Sequence, residues 1–495
     1  MSEAGGSVLM DVMRWFPYTP RPQQDRAVTH AAHVFRDKTV GLLSADCGVG
    51  KTVAVLSGYL AVRAKDSSSR LIVLTRTHSQ SKVFEDELGV LREEPGAMSD
   101  GLQLTATSMV SRGHVCPLID KMNSVSSVGF LRACAQMIGA GKCSMYWSFY
   151  KRGAEGRPQI RDAARQIVDA LLNGGVVTRD EAEDVGRSEG VCPYEVLRWC
   201  ARKSRVVIGP YGYLFRERVR NALLSSLGMN LHAVDLIVDE AHNLASHVLG
   251  SETACVSLSD LEWLRKHDTE IERETQVEWL PEAVDFLWET VMTNLDNIHS
   301  ETNLEKWDVL PRFVDKSQIQ NLLLGTKIGL DESDGTVPTE TPLDRLVEFL
   351  YTGHRAVQSE DWHVTLEVRK PWRQESNSRD ADLKIRPLNA AGLSAPVLRG
   401  ARSALLMSGT LRPLQHYADL LGVSGAMMES LMSPYPHGSR LVLLDKDITT
   451  KYTARGDQLW RTIAGRISTA LTAMPSEKSA LIAFPSYRIM EDVLS

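Results

Sequence analysis

The sequence lacks several features that would place it directly in a common class of protein. It has seven cysteines but no C-x-x-C pair, so cysteine spacing alone identifies no zinc site. No segment approaches the roughly 18 apolar residues of a transmembrane helix. The first residues are not a basic segment followed by an apolar run, as in a signal peptide. We therefore expect a cytoplasmic protein without membrane association, in which structural disulfides are rare.

An excess of positive charge is also missing. The formal net charge of −6 gives no sign of nucleic-acid binding, although one domain could still carry a basic face. The composition, 43% hydrophobic and 24% charged residues, is ordinary for a globular protein. A chain of 495 residues is too long for one core and predicts two to four domains.

The clearest local pattern is a phosphate-binding loop between a strand and a helix. Residues 39–44 are short and apolar, as in a buried parallel strand, and residues 53–60 have the character of a helix. The intervening A-D-C-G-V-G-K-T matches the P-loop G-x-x-x-x-G-K-[ST], with Ala45 in place of the first glycine. The order of strand, loop and helix favours a P-loop over a chance glycine-rich turn.

Each residue type in this loop suits the binding of a nucleotide. Gly48 and Gly50 allow backbone amides to face the phosphates. Lys51 would supply positive charge to the β- and γ-phosphates of ATP, and the Thr52 hydroxyl would coordinate Mg²⁺. The start of the helix adds its dipole. We interpret Cys47 as a loop residue of this site and not as a metal ligand.

A second motif complements the P-loop. The apolar residues 234–238 predict a strand, and D-E-A-H follows it at 239–242. Asp239 would hold Mg²⁺ and Glu240 would polarise the attacking water, with His242 completing the motif. Four residues alone could equally be an acidic helix start. Together with the P-loop they predict an NTPase, with these carboxylates at the carboxyl end of a strand.

Further segments resemble one helicase family. Residues 71–80, L-I-V-L-T-R-T-H-S-Q, resemble motif Ia of the iron–sulfur helicases of superfamily 2 that are similar to XPD. Residues 401–411 resemble its motif III, with Arg412 in place of the usual serine, and 449–452 resemble archaeal members. Residues 16–24 are similar to the family's adenine-recognition segment. This resemblance implies that Gln24, or alternatively Gln23, contacts adenine.

Four cysteines lie between motif Ia and D-E-A-H, where the family inserts a [4Fe–4S] domain. From the residues alone, four thiolates suit a cluster, a tetrahedral zinc ion or unrelated buried side chains. The resemblance favours the cluster, and it implies that Arg112 supports it. We expect Cys200 and Cys255 to be structural. The predicted cluster ligands are Cys116, Cys134, Cys143 and Cys192.

The resemblance implies an α/β fold, a RecA-like P-loop motor domain with two insertions, followed by the start of a second RecA-like domain. The motor domain would comprise residues 1–104, 205–245 and 385–435. The insertions would be an iron–sulfur domain at 105–204 and a helical Arch domain at 246–384. The second motor domain would begin at 436, with its first core strand at 479–487. Its motifs V and VI are not found within residues 436–495, so we expect the 495-residue chain alone to hydrolyse little ATP.

Several smaller features have two interpretations. A helix is predicted at 160–173, and the basic residues Arg198, Arg202, Lys203 and Arg205 would contact DNA phosphates or form a solvated helix face. Tyr211 and Tyr213 would stack on bases or pack in the core. Residues 331–338 have the composition of a loop. Six tryptophans of the second insertion are expected more often in the core than in base-stacking platforms: Trp263, Trp279, Trp288, Trp307, Trp362 and Trp372.

The resemblance implies an ATP-dependent 5′→3′ helicase that acts on single-stranded or forked DNA in repair, using ATP, Mg²⁺ and a [4Fe–4S] cluster. Repair proteins would be its partners, and a cytoplasmic, nucleoid-associated location in a prokaryotic or archaeal cell is expected. Two alternatives stay open: a truncated DNA-binding protein that does not hydrolyse ATP, and an iron–sulfur helicase similar to DinG.

Overall fold

The structure is a computed structural model. It describes residues 12–94, 103–118, 127–153, 156–295, 301–305, 314, 317–319, 341–357, 359–369, 380–435 and 442–494. The predicted loop at 331–338, Trp307 and Trp372 lie outside the described residues. The chain divides into two compact units, residues 1–434 and 435–495.

The elements of the described residues are numbered in chain order. The strands are β1 (Val40–Ala45), β2 (Arg70–Thr75), β3 (Ala106–Ser108), β4 (Tyr150–Arg152), β5 (Pro158–Ile160), β6 (Val176–Val177), β7 (Val206–Pro210), β8 (Val234–Asp239), β9 (Ala254–Ser257), β10 (Glu301–Leu304), β11 (Trp362–Arg369), β12 (Asp380–Pro387), β13 (Ser403–Ser408) and β14 (Met427–Leu431). The helices are α1 (Gln24–Arg36), α2 (Lys51–Arg63), α3 (His78–Glu93), α4 (Arg112–Val115), α5 (Ser127–Gly139), α6 (Ser144–Phe149), α7 (Asp162–Gly174), α8 (Arg179–Glu189), α9 (Pro193–Lys203), α10 (Gly212–Phe215), α11 (Glu217–Leu227), α12 (Leu244–Ser251), α13 (Leu258–Lys266), α14 (Asp268–Thr275), α15 (Leu280–Leu295), α16 (Pro342–Ala356), α17 (Ala390–Gly400), α18 (Leu414–Leu420), α19 (Asp457–Thr472) and α20 (Tyr487–Leu494).

The first unit is built on an eight-stranded sheet in the order β14-β1-β13-β8-β2-β7-β3-β6. Every neighbouring pair in it is parallel. The strands are apolar and buried along most of their length, as expected when helices cover both faces of a parallel sheet. This is a RecA-like motor fold, so the predicted fold class is confirmed. Residues 206–210 join the sheet as predicted, and two strands from residues 105–204, β3 and β6, extend its edge.

A buried ion pair fastens the sheet to the helix after the P-loop. Asp235 on β8 is fully buried, and its Oδ2 accepts a hydrogen bond from Nε of Arg63 at 3.0 Å. Its Oδ1 accepts bonds from Nε of Arg402 at 3.0 Å and Oγ of Ser403 at 2.6 Å. These partners compensate the desolvation of the carboxylate, which would otherwise be strongly unfavourable. The pair therefore fixes α2, and with it the P-loop, relative to β8.

Residues 127–203 form a module beside the sheet. It contains helices α5 to α9, the antiparallel hairpin of β4 and β5, and β6, which joins the edge of the large sheet. The helix predicted at 160–173 is observed as α7, which begins at Asp162 because Pro158 to Ile160 pair with β4.

The second insertion contains an element that the sequence reading missed. Besides helices it has a four-stranded antiparallel sheet in the order β10-β11-β12-β9. Its hydrophobic cluster includes Trp362, and Trp279 and Trp288 pack against it, as expected for core anchors. Trp263 differs: it is 39% exposed and stacks on His267 with ring centroids 4.1 Å apart.

The second unit carries α19 and α20, which pack through Trp460, Ile489 and Val493. The strand predicted at 479–487 is wrong for the described structure: residues 479–484 form no strand, and Tyr487 begins α20. Leu481 is 97% exposed. A strand needs a neighbour for its backbone hydrogen bonds, and none of the described residues pairs with this segment. Across the described part of the chain, no helix combines the length and apolarity that a bilayer crossing requires.

Candidate active site

The P-loop connects β1 to α2 as the sequence predicted. Ala45 is the last residue of β1, and Gly48 and Gly50 have φ values of 93° and 76°. Residues that have a side chain rarely adopt this left-handed backbone conformation, which explains the glycines at both positions. At Gly50 a Cβ atom would also lie 2.4 Å from Nε2 of Gln24. Lys51 and Thr52 form the first turn of α2, where free backbone N–H groups favour an anion.

Of the two glutamines proposed for adenine contact, Gln24 bonds to the P-loop and Gln23 bonds to the segment after β14. Gln24 is buried; its Nε2 donates to the Val49 carbonyl at 2.6 Å, and its Oε1 accepts from the Arg21 amide at 2.6 Å. Gln23 Nε2 donates to the Met432 carbonyl at 3.1 Å, and its Oε1 accepts from the Met432 amide at 3.3 Å. A role of either glutamine in adenine binding stays a prediction, whereas the hydrogen bonds of Gln24 hold the loop in place.

Asp239 ends β8 and is only 5% exposed. Its Oδ1 is buried without a hydrogen-bond partner. Burial raises the pKa of this carboxyl to about 6, and the negative charge of Glu240 adds to the shift while Lys51 opposes it. Tyr211 is also buried, and its hydroxyl donates to the backbone carbonyls of Asp239 and Glu240. Asp239 is therefore a poorly solvated acid whose ionised form a cation would stabilise.

Glu240 links three motifs. Its backbone is left-handed, with φ 47°, which turns the side chain toward the P-loop. Oε1 lies 3.1 Å from Nζ of Lys51, and Oε2 accepts a hydrogen bond from Oγ of Ser408 at 2.7 Å. Burial raises the pKa of Glu240, but the Ser408 hydrogen bond and the Lys51 charge outweigh it and bring the pKa below its usual value.

His242 joins the same network. Its Nδ1 lies 2.7 Å from Oγ of Ser408 and 3.2 Å from Oγ1 of Thr410. Its Nε2 lies 2.9 Å from Nδ2 of Asn243. Ser408 thus contacts Glu240 and His242, and Glu240 contacts Lys51, so three predicted catalytic residues lie in one network near the carboxyl ends of β1, β8 and β13. The sequence reading quoted Ser408 only within motif III and missed Asn243, which directly follows D-E-A-H.

Arg412, where this sequence departs from the motif III pattern, reaches the P-loop. Its Nη1 lies 3.2 Å from Oδ1 of Asp46, and its Nη2 donates to the Leu431 carbonyl at 2.8 Å. Oδ2 of Asp46 accepts from the Ser433 amide at 3.0 Å. Asp46 and Arg412 therefore connect the P-loop, motif III and the segment that follows β14.

Motif Ia spans most of β2, which lies beside β8, and the start of α3. Thr77 and Gln80 form a capping box that starts α3, and Oε1 of Gln80 also accepts from the Arg76 amide at 2.9 Å. T-H-S-Q is thereby explained as a helix start. The exposed Arg76 side chain donates from Nη1 to Oδ1 of Asn243 at 3.1 Å.

Three of the four basic residues proposed for DNA contact have protein partners. Arg205 is buried and donates to the carbonyls of Arg63 and Asp66. Arg198 pairs with Glu195 at 2.8 Å. Lys203 pairs with Asp169 at the surface.

Three more residues have two interpretations from the sequence: Arg202, Tyr211 and Tyr213. The guanidinium of Arg202 lies over Trp199, 5.4 Å from its ring centroid. Tyr211 is buried, Tyr213 is partly buried against the same hydrophobic cluster, and burial raises the pKa of each hydroxyl. Tyr211 and Tyr213 are therefore packing residues here.

The four proposed cluster cysteines lie in one region around Arg112. Nη1 of Arg112 donates to Sγ of Cys134 at 3.6 Å, and Nη2 donates to the buried Glu195 at 2.7 Å. Burial raises the pKa of Cys116, with the neighbouring Cys134 and Cys143 adding to the shift. Burial likewise raises the pKa of Cys192 to about 12. Within the part of the chain that the structure describes, no three His, Cys, Asp or Glu side chains are arranged to hold a single metal ion.

The other cysteines fit their predicted places. Cys47 is exposed in the P-loop, Cys200 is buried in α9, and Cys255 is partly buried in β9.

Comparison with known proteins agrees with this architecture. Residues 73–261 match the DEAD_2 family model. The chain is 24% identical to the "General transcription and DNA repair factor IIH helicase subunit XPD" of Arabidopsis thaliana over 53% of its own length and 35% of the relative. It is 25% identical to the "ATP-dependent DNA helicase CHL1" of Kluyveromyces lactis over 40% of its length and 23% of the relative. The Dictyostelium discoideum XPD subunit is 21% identical, with 98% of this chain and 69% of that protein covered. The chain thus spans well under half the length of the first two relatives.

Solved structures give the same result for the fold. A structure titled "XPD_Helicase" superposes with a TM-score of 0.55 at 19% identity, covering 96% of this chain and 74% of that one. "Truncated XPD" has a TM-score of 0.50 at 17% identity, covering 83% and 99%. The fold and the site define a RecA-like P-loop motor domain. In sequence and in fold the chain is therefore similar to XPD helicases, which confirms the resemblance predicted from the motifs.

Proposed function

We propose that this chain carries the ATP-driven motor of a DNA helicase that acts on single-stranded or forked DNA in DNA repair. The observation that carries the proposal is the hydrogen-bonded network joining Lys51, Glu240, His242 and Ser408. It unites a P-loop, a D-E-A-H box and motif III at one edge of a parallel sheet, where α/β folds bind their ligands. The matched relatives are described as helicases, two of them in DNA repair. The 5′→3′ polarity and repair-protein partners extend the proposal from the resemblance.

Each side chain has a defined role in this proposal. Lys51 would leave Glu240 for the β- and γ-phosphates of ATP. Thr52 and Asp239 would hold Mg²⁺, which neutralises charge on the phosphates when bound, and the unpartnered Oδ1 of Asp239 fits a cation. Glu240, held by Ser408, would orient the attacking water. Its low pKa keeps it ionised and able to accept a hydrogen bond from that water.

Nucleotide binding tests the motor assignment. A fluorescent ATP analogue with Mg²⁺ should bind the 495-residue chain, and Lys51→Ala should weaken binding at least tenfold. Lys65→Ala, which removes an exposed lysine beyond the same helix, is the matched control and should bind as the wild type does. Equal binding by wild type and Lys51→Ala would contradict the P-loop assignment.

DNA binding is tested separately, with a fluorescent single-stranded oligonucleotide and a duplex of the same length. We expect a preference for the single strand and an affinity that falls as salt rises, because phosphate contacts release counterions. Nucleotide binding without any DNA binding would leave an NTPase domain but reject the helicase proposal. DNA binding without nucleotide binding would favour a DNA-binding protein that does not hydrolyse ATP.

We also propose that Cys116, Cys134, Cys143 and Cys192 hold a [4Fe–4S] cluster. A single zinc ion would need all four sulfurs about 2.3 Å from one point. A [4Fe–4S] cluster instead takes one thiolate on each of its four irons. The proposal is supported by the electrostatic interaction of Cys116 with Cys134 and Cys143, and of Cys192 with Cys134. The positive charge of Arg112 beside Cys134 would stabilise the thiolates and the anionic cluster.

Metal analysis of anaerobically purified protein tests this site. About four irons and matching sulfide per chain are expected for such a cluster, with a visible absorption band. Cys116→Ser and Cys192→Ser should lose both, whereas Cys255→Ser should keep them. Zinc in place of iron, or no metal in protein kept strictly anaerobic, would contradict the cluster.

A further inference from the structure

A continuous series of hydrogen bonds runs from the surface of motif Ia to Glu240 of the D-E-A-H box, which pairs with Lys51 of the P-loop. It begins at the guanidinium of Arg76, passes through the side chains of Asn243, His242 and Ser408, and ends at Glu240. The bonds are 3.1, 2.9, 2.7 and 2.7 Å long. The chain exists because β2 and β8 are adjacent parallel strands, so the loops that follow them meet at one edge of the sheet.

The direction of every bond can be derived from the Arg76 end. A guanidinium only donates, so the Asn243 atom that faces Arg76 must be the carbonyl oxygen. The amide nitrogen of Asn243 therefore faces His242 and donates to its Nε2. A ring nitrogen that accepts a hydrogen bond carries no proton, so His242 must be protonated on Nδ1.

The same answer follows independently from the Glu240 end. The Glu240 carboxylate, beside the Lys51 ammonium, only accepts, so the Ser408 hydroxyl must donate its one proton to Oε2. Ser408 Oγ then has two lone pairs left. One accepts from the backbone amide of Thr410 at 3.2 Å, and the other must accept from Nδ1 of His242. Both ends of this series of hydrogen bonds place a proton on Nδ1 of His242, and the Asn243 end also requires that Nε2 carries none.

We propose that Arg76 and Asn243 are positioning residues that hold His242 in the Nδ1-protonated tautomer. In this form His242 donates to Ser408, which in turn directs its hydroxyl to Glu240. The opposite tautomer would turn Nδ1 into an acceptor that competes with Glu240 for the Ser408 proton. In that tautomer the Nε2–H group of His242 and the side-chain amide of Asn243 would be two hydrogen-bond donors that face each other.

The same hydrogen bonds from Arg76 to Glu240 would make the orientation of Asn243 and His242 sensitive to a phosphate bound at Arg76. Arg76 is exposed and uses Nη1 on Asn243, with its backbone held by Gln80. A nucleic-acid phosphate that captured this guanidinium would release the carbonyl of Asn243, and the amide could then turn away from His242. This extension rests on the proposed function, because it requires the chain to bind DNA.

Ring-nitrogen NMR on protein labelled with ¹⁵N in its histidines tests the tautomer directly and needs no enzymatic activity. His242 is assigned among the 13 histidines by the signal lost in His242→Gln. We expect the wild type to show Nδ1–H and an unprotonated Nε2. Asn243→Asp keeps the shape and the Arg76 partner but replaces the amide donor with an acceptor, so His242 should gain a proton on Nε2.

The matched control is Ser246→Ala, which removes a hydrogen bond of 3.0 Å to the backbone carbonyl of Asn243 but leaves the relay intact. Its His242 signals should match those of the wild type. If Asn243→Asp does not fold, Asn243→Ala replaces it and should give a mixture of the two tautomers. Wild-type protein protonated on Nε2, or Asn243 variants with unchanged ring signals, would overturn the proposal.

Binding of a single-stranded dT oligonucleotide tests whether a phosphate at Arg76 changes the hydrogen bonding of His242. When anisotropy shows that it is bound, the His242 ring signals should shift in the wild type and stay constant in Asn243→Ala. Bound oligonucleotide without any shift in the wild type would refute the extension but leave the proposed function standing. Absence of binding would reject the proposed function and the extension together, while the tautomer would still be decided by the spectra of the free protein.

Discussion

Nζ of Lys51 and Oε1 of Glu240 lie 3.1 Å apart, so the P-loop lysine is paired with an acid of the D-E-A-H box. The pair spans β13, which separates β1 from β8 in the sheet. Each side chain is about one quarter exposed. A nucleotide phosphate must therefore compete with Glu240 for the ammonium group.

Glu240→Gln should bind nucleotide more tightly, because it removes the competing negative charge while keeping the side-chain shape. A partly buried ion pair contributes on the order of 1 kcal/mol, which corresponds to about fivefold in the dissociation constant. Titration with fluorescent ADP at low salt measures the change. Glu183→Gln on α8, which removes a partly buried carboxylate paired with Arg179, alters the net charge equally and should leave the affinity unchanged. Equal or weaker binding by Glu240→Gln would show that the ion pair does not compete with nucleotide.

Arg412 and Asp46 should be energetically coupled. We expect Arg412→Ser, Asp46→Asn and the double variant to give a coupling free energy of unfolding of about 0.5–1 kcal/mol, since the pair is partly exposed. Urea unfolding followed by intrinsic fluorescence provides the four values. The pair of Arg26 and Glu429, whose arginine is more exposed, serves for comparison and should couple less. Additive effects of the two substitutions would mean that the contact between motif III and the P-loop does not stabilise the fold.

His30 should make the first unit sensitive to acid. It is 7% exposed on α1, and burial lowers its pKa to about 4, with the nearby His33 adding to the shift. The folded state therefore keeps the ring neutral while the unfolded chain takes up a proton near pH 6.5. Stability is intact above pH 6.5 and is lost as pH falls toward 4, by roughly 1 kcal/mol at pH 5.5.

Comparison with a neutral variant isolates this contribution. The free energy of unfolding of His30→Asn relative to wild type should rise by about 1 kcal/mol between pH 7.5 and pH 5.5. His232→Asn, at an exposed histidine, should show no such change. A difference that stays constant across this pH range would exclude His30 as an acid-sensitive group.

Features carried by contiguous residues were predictable. The P-loop motif consists of two glycines and a lysine within residues 48–51. The strand before it and the helix after it were predicted to within a few residues of β1 and α2. The antiparallel sheet of the second insertion was missed, although 362–369 and 380–387 alternate between polar and apolar side chains in a pattern typical of strands. At 479–484 the apolar run predicted a strand that none of the described residues pairs with.

The sequence by itself determined the chemistry available to this protein: a phosphate-binding loop, an acidic box and four cysteines in a recognisable order. Only the tertiary structure decided which side chains meet. Strand order places Arg76 beside Asn243, Lys51 beside Glu240 and Arg412 beside Asp46, although each pair is more than 150 residues apart in the chain. Such contacts arise because parallel strands bring their carboxyl ends to one edge of a sheet, and the spacing of residues along a sequence does not encode that order.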